Sequence, residues 1–328
     1  MNVVLASLLC LSGNTDIEVG STVDYTFEKP PINALGVKSF ADLRGKPVLM
    51  AFFTSSSWAD DWVDDVVVWQ KEYGEDLAVV LSEIPSNGIE KLEATALERK
   101  WLGSRAMWTI EFPAYPGLHG IPQYTLVSSE GKVLMRGVSA VAGMNFLDKE
   151  LDVIEDAIAE EVRRRRAGPD GAPKEIAAAY EAFAEGEIER ALASARELSA
   201  DADATLAEAA RAAHESMRGR LAERLERAAA LLAEGRLEEL ESELARTAGV
   251  AAEADLEERR AALAAELASD ANAAEREASK ALAKVLDKVF AKGPKTPLLA
   301  QLKKLAKKYA GTKSAAYAEH LMRLDELE

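Results

Sequence analysis

Few residues in this chain are equipped for covalent or metal chemistry, and their spacing narrows the choice. There is one cysteine, Cys10, so no disulfide can close within the chain and no Cys-x-x-Cys pair exists. Asp60 and Asp64, and likewise Asp61 and Asp65, stand four residues apart. On a helix each pair would share a face and could offer oxygen ligands to a hard cation. That spacing is also ordinary on solvated helices, and no metal and no cofactor are expected. Ser57, Asp60 and His119 could meet across a cleft as a hydrolytic constellation, although no oxyanion hole is legible. The plainer reading is that Ser57-x-x-Asp60 is a capping box, with Ser57 as N-cap and Asp60 reaching back. Asp61, Asp64 and Asp65 would then add charge that suits the positive end of the helix. His214 and His320 fall in helical sequence and read as surface residues. The run Arg163-Arg164-Arg165-Arg166 reads as a solvated last helical turn.

The elements around these residues follow two grammars. All five tryptophans lie in the first half, at 58, 62, 69, 101 and 108. There, Val48 to Phe53 is an unbroken apolar run behind Lys46-Pro47, a buried central strand. Trp58 to Tyr73 reads as a helix burying Trp62, Val66 and Trp69, and Leu77 to Leu81 as a second strand. Glu90 to Leu102 is helical again. Tyr124–Val127 and Lys132–Met135 form a hairpin about Glu130-Gly131, and Phe146 to Arg165 closes the unit as a helix. Strand, helix, strand, helix, hairpin, helix is an α/β sandwich.

The order resembles the thioredoxin-like family, especially exported thiol-disulfide oxidoreductases and redoxins. The resemblance rests on Leu43-Arg44-Gly45-Lys46-Pro47-Val48-Leu49 opening the central strand, Phe52-Phe53 near its end, and Gly120-Ile121-Pro122 before the hairpin. It covers roughly residues 20 to 166. It implies a cis proline at Pro122, facing the active site, and a Cys-x-x-Cys motif opening the first helix. There the helix terminus would stabilise a thiolate. The motif's positions fall instead on Ser57, Trp58, Ala59 and Asp60, which cannot exchange disulfides. The cleft beside Pro122 holds extended peptides in such proteins, and Trp58, Trp108 and Tyr115 are candidates to line it.

From residue 175 the chain turns to Ala, Glu, Leu and Arg, strong helix formers. The expected organisation is a leader over 1–19, a thioredoxin-like sandwich over 20–166, a turn-rich linker over 167–174 and an all-α helical-hairpin domain over 175–328. Gly186 and Gly235 mark hairpin turns that look like degenerate tetratricopeptide units. A stripe from Leu206 through Ala210, Ala213, Met217, Leu221, Leu225 and Ala228 to Leu232 needs partner helices. With 328 residues and a net charge of −16, nucleic acid is an unsuitable partner. The apolar run Val3–Leu11 suits a signal peptide and is too short to span a bilayer, so export to the periplasm or cell envelope is expected, with a cytoplasmic location as the alternative. The leading expectation is a redox-inactive module that binds protein partners through the helical domain and the cleft near Pro122. The alternative is an enzyme of the same fold, with other chemistry at Ser57 and Asp60 or a role assisting a separate redox protein.

Overall fold

The computed structural model describes residues 17–55, 59–138 and 147–327. Cys10, Ser57 and Trp58 lie outside them, as does the Val3–Leu11 run. Five strands form one mixed sheet, β1 (Val48–Phe53), β2 (Ala78–Glu83), β3 (Met107–Thr109), β4 (Gln123–Val127) and β5 (Val133–Val138), in the order β3-β2-β1-β4-β5. β1 runs parallel to β2, and β2 to β3, while β4 and β5 are antiparallel additions. β1 and β2 are buried along their whole length, as uninterrupted apolar runs require. β3 was not anticipated: it is three residues long and pairs with β2 only from Val80 to Ser82.

Helices α1 (Asp60–Tyr73), α2 (Ile89–Glu98) and α3 (Leu147–Ala167) connect and flank these strands. α1 buries Trp62, Val66 and Trp69 at helical spacing, and α3 buries Ile154, Ile158 and Val162. The other face of the sheet has its own core, in which Met50, Phe52 and Val80 meet Val23, Phe27, Phe40 and Leu43 from the N-terminal segment. Glu111 pins that segment by accepting from the Tyr25 hydroxyl (2.8 Å) and from the backbone N–H groups of Glu28 and Lys29.

The rest of the described chain is helical: α4 (Lys174–Ala184), α5 (Ile188–Leu198), α6 (Ala204–Glu234), α7 (Leu237–Arg246), α8 (Ala254–Ala268), α9 (Ala273–Lys292), α10 (Thr296–Lys308) and α11 (Lys313–Asp325). The turns at Gly186 and Gly235 take the positive φ that only glycine adopts without cost. Asp203 caps the long α6 by accepting from the backbone N–H groups of Thr205 and Leu206. The α6 stripe is satisfied within the chain, because Ala210, Met217, Leu221 and Leu225 pack with Phe183, Leu192 and Leu240.

The two halves are joined more deeply than a linker at 167–174 suggests. Leu282, Val285 and Val289 of α9, Leu302 of α10 and Leu321 of α11 belong to the same buried cluster as Leu49, Val79, Trp101 and Trp108 of the α/β half. α11 lies on α2, where His320 Nε2 meets a Glu93 carboxylate oxygen at 2.8 Å. That bond outweighs burial, which acts the other way, and holds the imidazole above its usual pKa.

A second join lies at the turn before β2. Asp76 accepts from Arg165 Nε (3.1 Å), Arg166 Nε (2.7 Å) and Arg220 of α6 (3.0 Å). Beside it Glu75 takes Arg224 and, at 2.7 Å, Arg246. The guanidinium groups of Arg220 and Arg224 also lie over the Phe183 ring, at 4.7 and 5.5 Å. The expectation of a solvated arginine run therefore needs correcting at Arg165. Its side chain is 6% exposed, whereas Arg163 and Arg164 are about half exposed. An internal acid pair, Glu75-Asp76, has drawn the end of α3 inward.

Candidate functional site

The predicted site sits where β1 ends and α1 begins. α1 starts at Asp60 with Ala59 as its N-cap. Ser57, the N-cap of the expected capping box, lies outside the described residues, and the Asp60 carboxylate bonds the Arg99 guanidinium from the end of α2. The Asp60 and Asp64 carboxylates, expected to share a face, are likewise drawn to protein partners. Asp64 accepts from the Trp101 indole N–H at 2.6 Å. The Asp65 carboxyl titrates above its usual range through burial and the nearby Asp64, Asp61 and Glu155 charges. Among the described residues no group of three or more ligating side chains is placed to hold a metal. His119 is exposed, in the loop leading to β4.

Pro122 is buried at the start of β4, and the Ile121–Pro122 peptide bond is cis. The loop before it is fastened by the sheet. The buried Gln123 amide donates to the carbonyls of Leu118 (2.7 Å) and Gly120 and to the Tyr115 hydroxyl (3.3 Å). Thr125 Oγ1 donates to the Ala114 carbonyl at 2.8 Å, and Arg136 to that of Pro116 at 2.9 Å. Tyr115 rests edge-on against Phe52, with centroids 5.1 Å apart, and stays half-buried. Trp108, expected to line the cleft, is instead wholly buried, stacked on Trp101 at 5.7 Å and edge-on to Phe53. Indole rings bury enough area that a core position is their ordinary fate.

One residue of the site was missed in the sequence. Glu83, the last residue of β2, is 1% exposed and pairs in register with Phe53. Its carboxylate accepts from the Ser55 hydroxyl and from the backbone N–H of Asn87 at 3.1 Å. An acid closing the apolar strand Ala78-Val79-Val80-Leu81-Ser82 was the available signal. Burial is the dominant influence and raises its pKa; the Asn87 bonds and Lys91 only partly offset it. A carboxyl raised above its unfolded value binds its proton more tightly in the folded state. Its favourable contribution is complete below the unfolded pKa and is lost as pH rises through the folded one. Glu83→Gln is therefore expected to raise the urea midpoint at pH 7 relative to the parent, with the two converging near pH 4. A variant less stable than the parent at pH 7 would mean that the ionised carboxylate is well solvated.

The strand order, the two antiparallel strands after a parallel trio, and the helices on one face make this half a thioredoxin-like sandwich, followed by an all-α region. Solved structures with some likeness include a DsbE-type thiol:disulfide interchange protein from Chlorobium tepidum, at 19% identity and a TM-score of 0.33, covering 44% of this chain and 99% of that one. A thioredoxin-like protein in its oxidised form is 21% identical, with a TM-score of 0.34 over 43% and 97% of the two chains. The exposed lipoprotein thioredoxin of Streptococcus pneumoniae is 18% identical, with a TM-score of 0.30 over 42% and 99%. Likeness at this level carries no activity across. No protein-family model matches the chain. No curated protein matches it either. No helix among the described residues is long and apolar enough to cross a membrane. The chain thus carries a thioredoxin-like sandwich that lacks the Cys-x-x-Cys pair, joined to a helical region.

Proposed function

We propose that this chain is a redox-inactive thioredoxin-like protein of the cell envelope, which binds an extended segment of a protein partner in the cleft beside Pro122. The observation that carries the reading is the state of Asp60. One of the two positions where a thiol would be needed holds a carboxylate already paired with Arg99, and the chain has no second cysteine to replace it. The same pairing argues against hydrolysis through Ser57 and Asp60, since Asp60 is not free to orient a histidine. The bonds that Gln123, Thr125 and Arg136 make to the loop before Pro122 favour binding, because a fixed wall loses little entropy when a segment is laid against it. Tyr115 offers that segment an aromatic face and a hydroxyl. The helical half contributes by holding α2 and the sheet in place, and its outer faces remain available to further partners.

The test uses the full chain in two arms. In insulin reduction with dithiothreitol, the parent and a Cys10→Ala variant are expected to match the protein-free rate, while Ser57→Cys/Asp60→Cys gains activity. Parent activity above that of Cys10→Ala would sink the redox-inactive reading. In cross-linking from native cells, a partner captured by the parent is expected to be lost with Tyr115→Ser. Its retention would move the binding surface away from the cleft.

A further inference from the structure

A cavity of about 560 Å³ opens at the seam between the α/β half and α6, away from the Pro122 cleft. In a chain of net charge −16 its lining is basic, with eight Lys and Arg side chains against four acids, Asp42, Glu75, Glu223 and Glu226. Acids behind the wall do not make up the difference. Asp76, Glu239 and Glu243 bond lining cations, yet each also carries a cation from outside the cavity, Arg166, Arg236 and Arg246 respectively. Glu226 is itself paired with Arg259 at 2.7 Å.

Several of these cations are short of partners. Arg220 is 6% exposed at its side chain and bonds Asp76 through a terminal nitrogen, but its Nε has no hydrogen-bond acceptor among the described residues. Arg227 Nε is likewise buried without one, with Glu243 only at 3.5 Å. The Lys38 ammonium makes no ion pair among the described residues. Arg105 stands in a left-handed backbone conformation, φ 68°, with a single charged contact at 3.8 Å. Crowding agrees with this: burial first, and the neighbouring Arg165 next, lower the Arg220 guanidinium to about 10. Uncompensated charge at a buried seam is costly, and a bound counter-charge would relieve it. The cavity is of a size that takes small molecules, and Leu35, Val37, Leu77 and Met107 give it an apolar wall. Gly219 leaves space. It lies within α6, where glycine is a poor helix former, and a Cβ added there would meet nothing within 4 Å.

We propose that this cavity binds a small organic polyanion, its phosphate or carboxylate groups among Lys38, Arg105, Arg220 and Arg227 and its body against the apolar wall. Guanidinium groups suit both anions through paired N–H donors. The experiment is calorimetric titration of the full chain at about 0.15 M salt, where non-specific charge attraction is screened. The probes are inorganic pyrophosphate and citrate, and the second controls for carboxylate. Saturable binding of either at one equivalent per chain is expected, and which one binds more tightly names the anion. Gly219→Leu, which fills the space, is expected to weaken binding at least about tenfold, a loss of about 1.4 kcal/mol. Its thermal midpoint, measured alongside, should not fall below that of the parent by more than a few degrees. Lys38→Gln, at an exposed position outside the ion-pair network, is the second variant and should weaken binding severalfold. No saturable heat with either probe up to about 1 mM, or parent-like binding in both variants, overturns the proposal.

Discussion

Asp76→Ala will lower the free energy of unfolding by about 3–5 kcal/mol, the largest effect expected of any single charged residue here. The change leaves Arg165 and Arg220, each 6% exposed at the side chain, buried without the carboxylate that three guanidinium groups share. Removing one partner of a buried ion cluster costs far more than the cluster itself contributes, because the remaining charges cannot regain water. Glu160→Ala is the control. Its bonds to Arg163 and Arg164 lie on the surface, and their loss should leave the stability close to that of the parent. Urea unfolding of the two variants and the parent measures both. An Asp76→Ala loss no larger than that of the control would mean that water reaches the seam and screens it.

The second large effect is expected in the helical half, and it should be felt in the other. Leu321 of α11 is fully buried in the cluster that contains Trp101 and Trp108. Truncation to alanine is expected to cost about 2–5 kcal/mol, a transfer loss plus a cavity. All five tryptophans lie in the α/β half, so their fluorescence reports that half, while ellipticity at 222 nm is dominated by α4 to α11. In the parent and in Leu321→Ala the two signals should move through one coincident transition, displaced together in the variant. Fluorescence that holds its parent midpoint while ellipticity shifts would show two separately folding units.

The sequence was most informative where a rule is local. β1 and β2 announced themselves as apolar runs, the hairpin as two strands about Glu130-Gly131, and the helical hairpins through Gly186 and Gly235. β3 gave no such signal, since three residues at a sheet edge carry no period. The seam was invisible for another reason. Glu75 and Asp76 look like any acids in a turn, and Arg163 to Arg166 like any helix end, whereas their partners Arg220 and Arg224 lie 144 and 149 residues away in sequence. Nothing local distinguishes an arginine that will be buried from one that will not. At the site, the loss of the cysteines was plain from the residues themselves. The Asp60–Arg99 pair and the burial of Glu83 required the fold, because both join the ends of elements separated by a strand or a helix.

The shared core also sets an order of events at the ribosome. Domains made first usually fold first, as synthesis proceeds at about 5–20 residues per second. Here α9, α10 and α11, which end at Asp325, complete the buried cluster that holds Trp101 and the inner face of α2. The α/β half therefore waits, with that cluster incomplete around Trp101, while about 150 further residues are made, roughly eight to thirty seconds at that pace. In that interval the outer side of α2 is exposed to wrong partners, and a nascent chain stalled before α9 should be the form that chaperones hold longest.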